Sequence, residues 1–360
     1  MRIAIYSPYL DTFGGGERYM MTVAETFSSS NVVDVLLDHY LASLEVNFLK
    51  KKLSERFNLN LSTVNFIKAP VGKNTSFINR FLFLKKYDLL FYLTDGSLFF
   101  PTAKKSVLHI QSPLVGQPAK SVWGKFKLKG WNIIIYNSKF TQNHSIANWP
   151  LSSQVIYPPV DVNKIKPLKK EKYILSVGRF FGYLKDKKHE VLIKTFIELY
   201  KDKRINGWSL HLAGSATKGD QLYLEELKNL SKNFPVNFYP NLSFEGLIRL
   251  YGQSSIYWHA AGFAENDPTK MEHFGISTVE AMAAGAVPVV IGKGGQVEII
   301  EDKVSGYLWD SLEELKKITI NLATNSRSRE ECSKEAIKRA KMFSKENFAS
   351  NLINLVDSLK

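Results

Sequence analysis

Short apolar runs recur along the first part of the chain, separated by longer stretches with helical spacing or polar character. Most of these runs are rich in β-branched or aromatic side chains, as in strands that are buried on both faces of a parallel sheet. We therefore predict strands at Ile3–Tyr6, Val32–Leu37, Val64–Ile67, Leu89–Leu93, Val107–Ile110 and Ile133–Tyr136. After the first strand, Met20, Val23 and Phe27 recur at the spacing of one helix face.

A second series of the same kind begins after residues 158–171, a proline- and lysine-rich stretch that has no apolar period. This stretch is the best linker candidate. The second series predicts strands at Tyr173–Val177, Leu210–Ala213, Val236–Tyr239, Ser255–His259 and Val287–Ile291, with helices between them. Two such series predict an α/β protein with two doubly wound Rossmann-like domains that face each other across an interdomain cleft.

The size and composition suit a globular protein of two domains. At 360 residues, each domain can bury its own core. Cys332 is the only cysteine, so the chain can form no internal disulfide, which fits a reducing compartment. No apolar run approaches the roughly 18 residues of a membrane span, and the first run meets Pro8 too early for a signal peptide. We therefore expect a cytoplasmic protein.

Positive charge is concentrated in one part of the chain. The formal net charge is +14, and no acidic residue lies between Asp95 and Asp161. The lysines in this interval are Lys104, Lys105, Lys120, Lys125, Lys127, Lys129 and Lys139. A cationic face implies a partner that carries phosphate: a nucleic acid, an anionic membrane or a phosphorylated substrate.

Two segments, residues 77–86 and 122–129, mix aromatic and aliphatic side chains with lysine or arginine. Such a mixture suits the headgroup region of an anionic bilayer. It also occurs in helices that face a core and in solvated connections. We predict that 77–86 is a core-facing helix, and for 122–129 the solvated connection and the membrane surface both remain open.

The stretch 272–285 holds two carboxylates around a predicted helix start. Ser277 can cap this helix and Gly285 can end it. The free amides of its first turn would then form an anion site, with Glu272 in the loop just before it. A different interpretation is a capping box, in which Glu280 closes onto the helix start and has no ligand.

Other candidate positions follow predicted strands, where α/β sheets bind their ligands. Gly14–Gly16 could cradle a phosphate or form a tight turn, and its spacing fits neither the dinucleotide fingerprint nor a Walker loop. Arg179 and Lys187 could hold a diphosphate, although residues 185–188 could equally be a solvated loop. His109 could be a core residue or a site residue.

In this order, these elements resemble a known family. Gly14-Gly15-Gly16-Glu17, Gly178-Arg179 with Lys187, and Glu272-x7-Glu280 together resemble the retaining GT-B glycosyltransferase family 4. The resemblance spans nearly the whole chain. The glycine loop and the Glu-His-Phe-Gly stretch also look like the mannosyltransferases that extend lipid-linked oligosaccharides.

The resemblance implies an architecture and a reaction. The expected domains are residues 1–160 on the acceptor side, residues 161–345 on the nucleotide-sugar side, and residues 346–360 as a helix that returns to the first domain. The implied reaction is a retaining, metal-independent transfer of a hexose, mannose being favoured. The chain has no Asp-x-Asp metal motif, which agrees with that reaction.

The resemblance also implies roles for individual residues. Arg179 and Lys187 would neutralise the donor diphosphate, and Glu272 would bind the hydroxyls of the transferred sugar. Glu280 would bind the ribose, and His109 would lie near the anomeric carbon. The remaining donor-binding positions are Gly15, Gly16, Gly178, Phe274, Gly275, Ile276 and Ser277.

The implied partners are a GDP- or UDP-linked sugar and a glycan or lipid-phosphate-linked acceptor, with no other cofactor. The basic N-terminal domain could bring the protein to the cytoplasmic face of an anionic membrane. A nucleotide-sugar epimerase or phosphorylase of the same fold is disfavoured, because the paired glutamates lie in the context of a transferase. A non-catalytic nucleotide or nucleic-acid binder is disfavoured because the lysines lack interleaved aromatics along one stacking sheet, so we expect no nucleic acid.

Overall fold

The computed structural model describes residues 1–73, 75–116 and 122–359. The chain divides into two compact units, Met1–Pro159 with Glu346–Lys360, and Val160–Lys345. Each unit contains one parallel sheet with helices between most of its successive strands, which confirms the predicted α/β class. Lys120, one of the lysines of the interval without acidic residues, lies outside the described residues.

The first unit contains a seven-stranded parallel sheet in the order β3-β2-β1-β4-β5-β6-β7. Its strands are β1 Arg2–Tyr6, β2 Val32–Leu37, β3 Asn65–Lys68, β4 Leu89–Leu93, β5 Lys105–Ile110, β6 Ile133–Tyr136 and β7 Ser153–Val155. The six predicted strands are present within a residue or two of their predicted ends. The edge strand β7 was not predicted, because its three residues carry no apolar run.

The second unit contains a six-stranded parallel sheet in the order β10-β9-β8-β11-β12-β13. Its strands are β8 Tyr173–Val177, β9 Ser209–Gly214, β10 Val236–Pro240, β11 Ile256–His259, β12 Val287–Ile291 and β13 Tyr307–Trp309. The order reverses between β8 and β11, and open α/β sheets bind ligands beyond the carboxyl ends of the strands at such a point.

The α-helices cover the faces of these sheets. In chain order they are α1 Gly15–Ser28, α2 Val46–Phe57, α3 Phe77–Leu84, α4 Val122–Lys129, α5 Lys139–Ser145, α6 His189–Lys201, α7 Gln221–Leu230, α8 Phe244–Gln253, α9 Ile276–Ala283, α10 Gln296–Ile299, α11 Leu312–Thr324, α12 Ser326–Ala340 and α13 Lys345–Ser358. Within the described residues, no helix is long and apolar enough to cross a membrane.

Each unit buries its own apolar core. In the first, Met20 and Phe27 of helix α1 pack with Phe348, Leu352 and Leu355 of helix α13. The last helix of the chain therefore contributes one face to the first core. In the second, Leu192 and Phe196 of helix α6 are buried in the same cluster as Trp258 of strand β11.

The predicted linker, residues 158–171, is partly packed in the second unit. Val160 and Ile165 are fully buried. The Val160 N–H donates to the Phe343 carbonyl at 3.0 Å. The division between the units falls within this stretch, between Pro159 and Val160. Most of its residues thus belong to the second unit.

Helix α3 corrects one prediction. The segment was expected to face the core, but Phe77, Ile78 and Leu82 are 52%, 65% and 63% exposed. Leu84 is the buried residue of the helix. Phe77, Ile78 and Leu82 thus reach solvent, because neither sheet nor helix covers that face in the described part of the first unit.

Candidate active site

The helix predicted within residues 272–285 begins at a glycine. Gly275 is the N-cap of helix α9, with φ 121°, a conformation that side chains rarely adopt. Gly285, with φ 75°, follows the last turn, which confirms its predicted role at the helix end. Since Gly275 provides no side-chain cap, the first-turn amides depend on other partners.

The capping roles predicted for Ser277 and Glu280 are wrong. Ser277 lies within the first turn, and its hydroxyl accepts a hydrogen bond from the Tyr257 hydroxyl at 2.8 Å. The Glu280 carboxylate is buried and accepts from the Tyr251 hydroxyl at 3.0 Å. The helix starts two residues earlier than a Ser277 cap requires, because Gly275 can take the strained turn.

Glu272 lies at the meeting point of three segments that are distant in sequence. Lys187 Nζ donates to Glu272 Oε2 at 2.7 Å, and His259 Nε2 lies 3.0 Å from the same oxygen. A carboxylate can only accept, so His259 carries its proton on Nε2. The Lys187 and Glu272 side chains are each 20% exposed, and that of His259 is 3% exposed. The three form a mostly buried, charged cluster with a small opening to solvent.

Electrostatics keep both members of the ion pair charged. Burial alone would lower the pKa of Lys187, but the charges of Glu272 and Asp186 outweigh burial and raise it, despite the nearby positive charge of Arg179. Burial alone would raise the pKa of Glu272, but Lys187 and the hydrogen bond with His259 hold it well below 4.5. Glu272 is therefore a carboxylate at neutral pH.

The end of strand β8 brings Lys187 into place. A Cβ on Gly178 would lie 2.6 Å from Lys187 Cγ, so only glycine lets the lysine stem pass. Arg179 follows directly and is exposed, with its guanidinium carbon 5.8 Å from the centre of the Phe181 ring. The two predicted phosphate-binding cations thus adjoin the same strand end, and Lys187 is the one that contacts Glu272.

A glycine turn supports the Glu272 loop from behind. The Gly295 N–H donates to the Glu272 carbonyl at 2.8 Å. A Cβ on Gly294 would lie 2.2 Å from that carbonyl oxygen. The turn therefore fixes the backbone of Glu272 by a close approach that no other residue permits.

The residues around the helix start differ in exposure. Phe274 is buried and packs edge-on against Phe343, with ring centres 5.4 Å apart. Ile276 and Ser277 are half-buried. Phe274 therefore anchors the loop, while the first turn of helix α9 stays accessible.

The glycine loop of the first unit is a well-bonded helix start. The Glu17 carboxylate accepts from the Gly14 N–H at 2.7 Å and from the Thr12 hydroxyl at 2.8 Å. Glu17 is 3% exposed, so these bonds direct its carboxylate at the turn. A Cβ on Gly16 would overlap the Gln111 side chain, whereas Gly15 is exposed. Gly15 is thus the most exposed of the three glycines of this loop.

His109 lies in the interior of the first unit. It is 1% exposed, and its ring stacks on that of Tyr19 with centres 3.9 Å apart. Its Nδ1 is 3.2 Å from the Ile135 carbonyl oxygen. Burial lowers the pKa of His109 to about 3, although the bond to Ile135 opposes this. The imidazole is therefore neutral near pH 7.

Comparison with known proteins decides the family. The family model for group 1 glycosyl transferases matches residues 160–339, half of the chain. The protein is a group 1 glycosyltransferase. The matched region contains Arg179 and Lys187, the two predicted phosphate-binding cations, together with Glu272 and Glu280.

Curated relatives of this transferase include GDP-Man:Man(3)GlcNAc(2)-PP-Dol alpha-1,2-mannosyltransferases. The mouse protein is 29% identical over 265 residues, 68% of this chain and 46% of its own. The human protein is 26% identical over 308 residues, 79% of this chain and 55% of its own. The chain thus spans about half the length of the curated relatives it matches.

Solved structures share the fold of this transferase. Anabaena HepE in complex with UDP-glucose has a TM-score of 0.70 at 18% identity, covering 99% of this chain and 100% of its own. A Rickettsia africae glycosyltransferase has a TM-score of 0.75 at 18% identity, covering 98% and 97%. These likenesses confirm the predicted GT-B fold.

His259 of this transferase was not predicted from the sequence. The residue ends strand β11, and the rule that drew attention to His109, a histidine at a strand end, applied to it equally. Its partner Glu272 is 13 positions away, a separation that no motif links. The signal that could have identified His259 is its position at the end of a predicted strand that precedes Glu272 and Glu280 in the chain.

Proposed function

We propose that this transferase is a retaining, metal-independent enzyme that moves a hexose, with mannose favoured, from a nucleotide diphosphate sugar to a glycan or lipid-linked acceptor. The observation that carries the proposal is the cluster of Lys187, Glu272 and His259 beside the start of helix α9. Family membership and the names of the mannosyltransferase relatives support the donor class.

The diphosphate is proposed to bind Arg179 and Lys187. Cleavage of a nucleotide sugar builds negative charge on the leaving diphosphate, and fixed cations stabilise that charge more in the transition state than in the substrate. Lys187 has three N–H donors, and Glu272 accepts from one of them in the structure. The accessible first-turn amides of helix α9 would add further donors to phosphate.

The two glutamates are proposed to bind the sugars of the donor. Glu272 is ionised and held on one oxygen by Lys187 and His259, so its other oxygen can accept from hydroxyls of the transferred hexose. Glu280, which accepts from the Tyr251 hydroxyl through Oε2, is proposed to accept from the hydroxyls of the ribose. Both roles need acceptors that stay charged, as the depressed pKa of Glu272 ensures for that residue.

The proposal also covers the nucleotide of the donor and the independence of the reaction from a metal. GDP-mannose is favoured because the curated relatives are named for that donor. UDP-glucose is the second candidate, because HepE was solved with it. Arg179 and Lys187 supply the positive charge that a divalent ion would otherwise provide, so we propose a reaction without a metal or other cofactor.

The acceptor and location are also proposed from the relatives. Their names include a dolichyl diphosphate, so a lipid-phosphate-linked glycan is the favoured acceptor class. The net charge of +14 would favour peripheral contact of the N-terminal unit with the anionic cytoplasmic face of a membrane. Nucleic acid is not a proposed partner.

A panel of GDP- and UDP-sugars, assayed for hydrolysis and transfer with EDTA present, tests the proposal. We expect turnover of GDP-mannose that is unchanged by EDTA, and an NMR spectrum in which the product keeps the anomeric configuration of the donor. Inversion would contradict the retaining mechanism, and loss of turnover in EDTA restored by magnesium would contradict metal independence. Reversible interconversion of free sugar nucleotides would instead indicate an epimerase.

A further inference from the structure

Helix α3 presents apolar side chains to solvent on the first unit. Ile78 and Leu82, one helical turn apart, are 65% and 63% exposed, and Phe77 is 52% exposed. Phe77 and Phe81 are also in contact, with ring centres 5.8 Å apart. A solvent-facing helix of a monomeric protein ordinarily carries polar residues at such positions.

Helix α4 continues this apolar surface. Val122, Trp123 and Phe126 are 69%, 70% and 58% exposed. The Phe100 ring connects the helices, because its centre lies 6.0 Å from that of Phe77 and 6.4 Å from that of Trp123. The two helices and Phe100 therefore form one continuous surface, and exposed apolar patches of this kind mark sites of interaction.

Positive charge surrounds the apolar residues. Lys85 and Lys86 follow helix α3 and are exposed, as are Lys125 and Lys129 of helix α4. Lys86 Nζ lies 3.8 Å from the centre of the Phe83 ring. No acidic residue occurs between Asp95 and Asp161, so no carboxylate of that interval offsets these charges.

We propose that helices α3 and α4 with Phe100, the aromatic–lysine surface, insert into the headgroup region of an anionic lipid bilayer. Aromatic and aliphatic side chains would enter the boundary between headgroups and acyl chains, while lysines reach the phosphates. This membrane contact deepens the proposed function and rests on it in one respect: the enzyme would bind its lipid-linked acceptor at that bilayer.

The charge favours a bilayer over a second copy of the chain. Two copies that met through this surface would bring their lysines together, at a cost in like-charge repulsion. An anionic bilayer supplies the complementary charge and an apolar layer at once. Trp123 also suits such an interface, because its indole has an apolar body and a polar N–H.

Tryptophan fluorescence offers a specific test, since Trp123 is 70% exposed and the other five tryptophans are at most 3% exposed. The full chain is mixed with vesicles of brominated phosphatidylcholine that contain about one-third phosphatidylglycerol, or none. We expect quenching with the anionic vesicles in about 50 mM salt and its loss in about 500 mM salt. The variant Trp123→Phe should bind these vesicles without this quenching.

Flotation of variants with the same anionic vesicles tests both components of the surface. Trp123→Ser/Phe126→Ser should lower the bound fraction at least about tenfold, because both side chains would leave the apolar layer. The matched control Tyr183→Ser/Leu222→Ser changes residues of the second unit that are 89% and 75% exposed, and should bind normally.

Charge reversal provides the second comparison. Lys125→Glu/Lys129→Glu should abolish flotation, whereas Lys317→Glu/Lys334→Glu, exposed lysines of the second unit, should lower it far less. Absence of quenching in low salt, equal quenching by neutral vesicles, or a dimer that Trp123→Ser dissociates would each overturn the proposal.

Donor turnover separates this inference from the proposed function. Hydrolysis of the nucleotide sugar in the absence of vesicles should be unchanged in Trp123→Ser/Phe126→Ser. If wild type turns over a donor but binds no vesicle, the membrane inference fails alone. If wild type binds anionic vesicles but turns over no donor, the proposed function fails and the lipid-binding surface stands.

Discussion

Lys187 Nζ and Glu272 Oε2 are 2.7 Å apart, although the residues are separated by 85 positions in the chain. Lys187 follows strand β8, whereas Glu272 lies in the loop before helix α9. The pair therefore exists only in the folded second unit, at the carboxyl ends of its strands. This contact places one cation and one carboxylate of the candidate donor site together.

His259 is expected to position Glu272. His259→Phe removes the hydrogen bond at similar volume and should lower kcat about ten- to hundredfold, because the carboxylate loses one of its two anchors. His259→Gln can still donate and should recover part of the loss. Steady-state kinetics check this: a purely structural role would lower the fraction of folded enzyme equally in both variants, without a change in KM.

The pH dependence of stability should report the ionised Glu272. Its pKa is depressed below 4.5, so its contribution to stability is present above that pH and is lost as the pH falls further. Chemical denaturation of wild type and Glu272→Gln should give a constant stability difference between about pH 5 and 8. That difference should narrow below pH 4.5, and a difference that is flat down to pH 3 would contradict the assignment.

Gly294→Ala should disrupt the Glu272 loop. The new Cβ would meet the Glu272 carbonyl oxygen at 2.2 Å, at a residue with φ 66°. The control Gly207→Ala has a similar φ of 76°, but its Cβ would make only ordinary contacts with the Lys172 side chain, at 3.6 Å or more, so it tests backbone strain without a clash. We expect each to lose about 1–2 kcal/mol through strain, and only Gly294→Ala to lose donor turnover. Equal activities of the two variants would show that the close approach has no functional role.

Glu280→Gln should weaken nucleotide binding while the fold stays intact. The amide keeps an acceptor for the Tyr251 hydroxyl but loses the charge proposed to bind the ribose. Tyr251→Phe is the companion variant, because it removes that hydroxyl and keeps the carboxylate. Calorimetry with GDP and UDP should show weaker binding for Glu280→Gln than for Tyr251→Phe; unchanged affinity in Glu280→Gln would remove its ribose role.

The fold followed from the sequence because buried parallel strands are continuous apolar runs. Leu89–Leu93 and Val287–Ile291 are fully buried and were predicted with the same bounds. The short edge strand Tyr307–Trp309 was missed, since its three residues carry too little pattern. Strand prediction thus failed for a short edge strand that is defined by its pairing with a neighbouring strand and not by an apolar pattern of its own.

The side-chain contacts of the site were less predictable. The predicted cap at Ser277 was wrong because Gly275, with φ 121°, starts the helix two residues earlier. The helix propensities of the residues do not show that this glycine takes such a conformation. The prediction that helix α3 faces the core was wrong because the burial of a helix face depends on the elements that pack against it. His259 was missed because its partner is brought near by the fold alone.

Donor turnover by Lys187→Ala, in EDTA, tests the central claim most directly. The control is Lys316→Ala, a lysine of the same unit that is 21% exposed and also paired with glutamates, against 20% exposure for Lys187. Lys187→Ala should turn over GDP-mannose about 10²–10³-fold more slowly than wild type, because one fixed cation at the leaving diphosphate is lost. Lys316→Ala should match wild type. Full activity in folded Lys187→Ala would contradict the account.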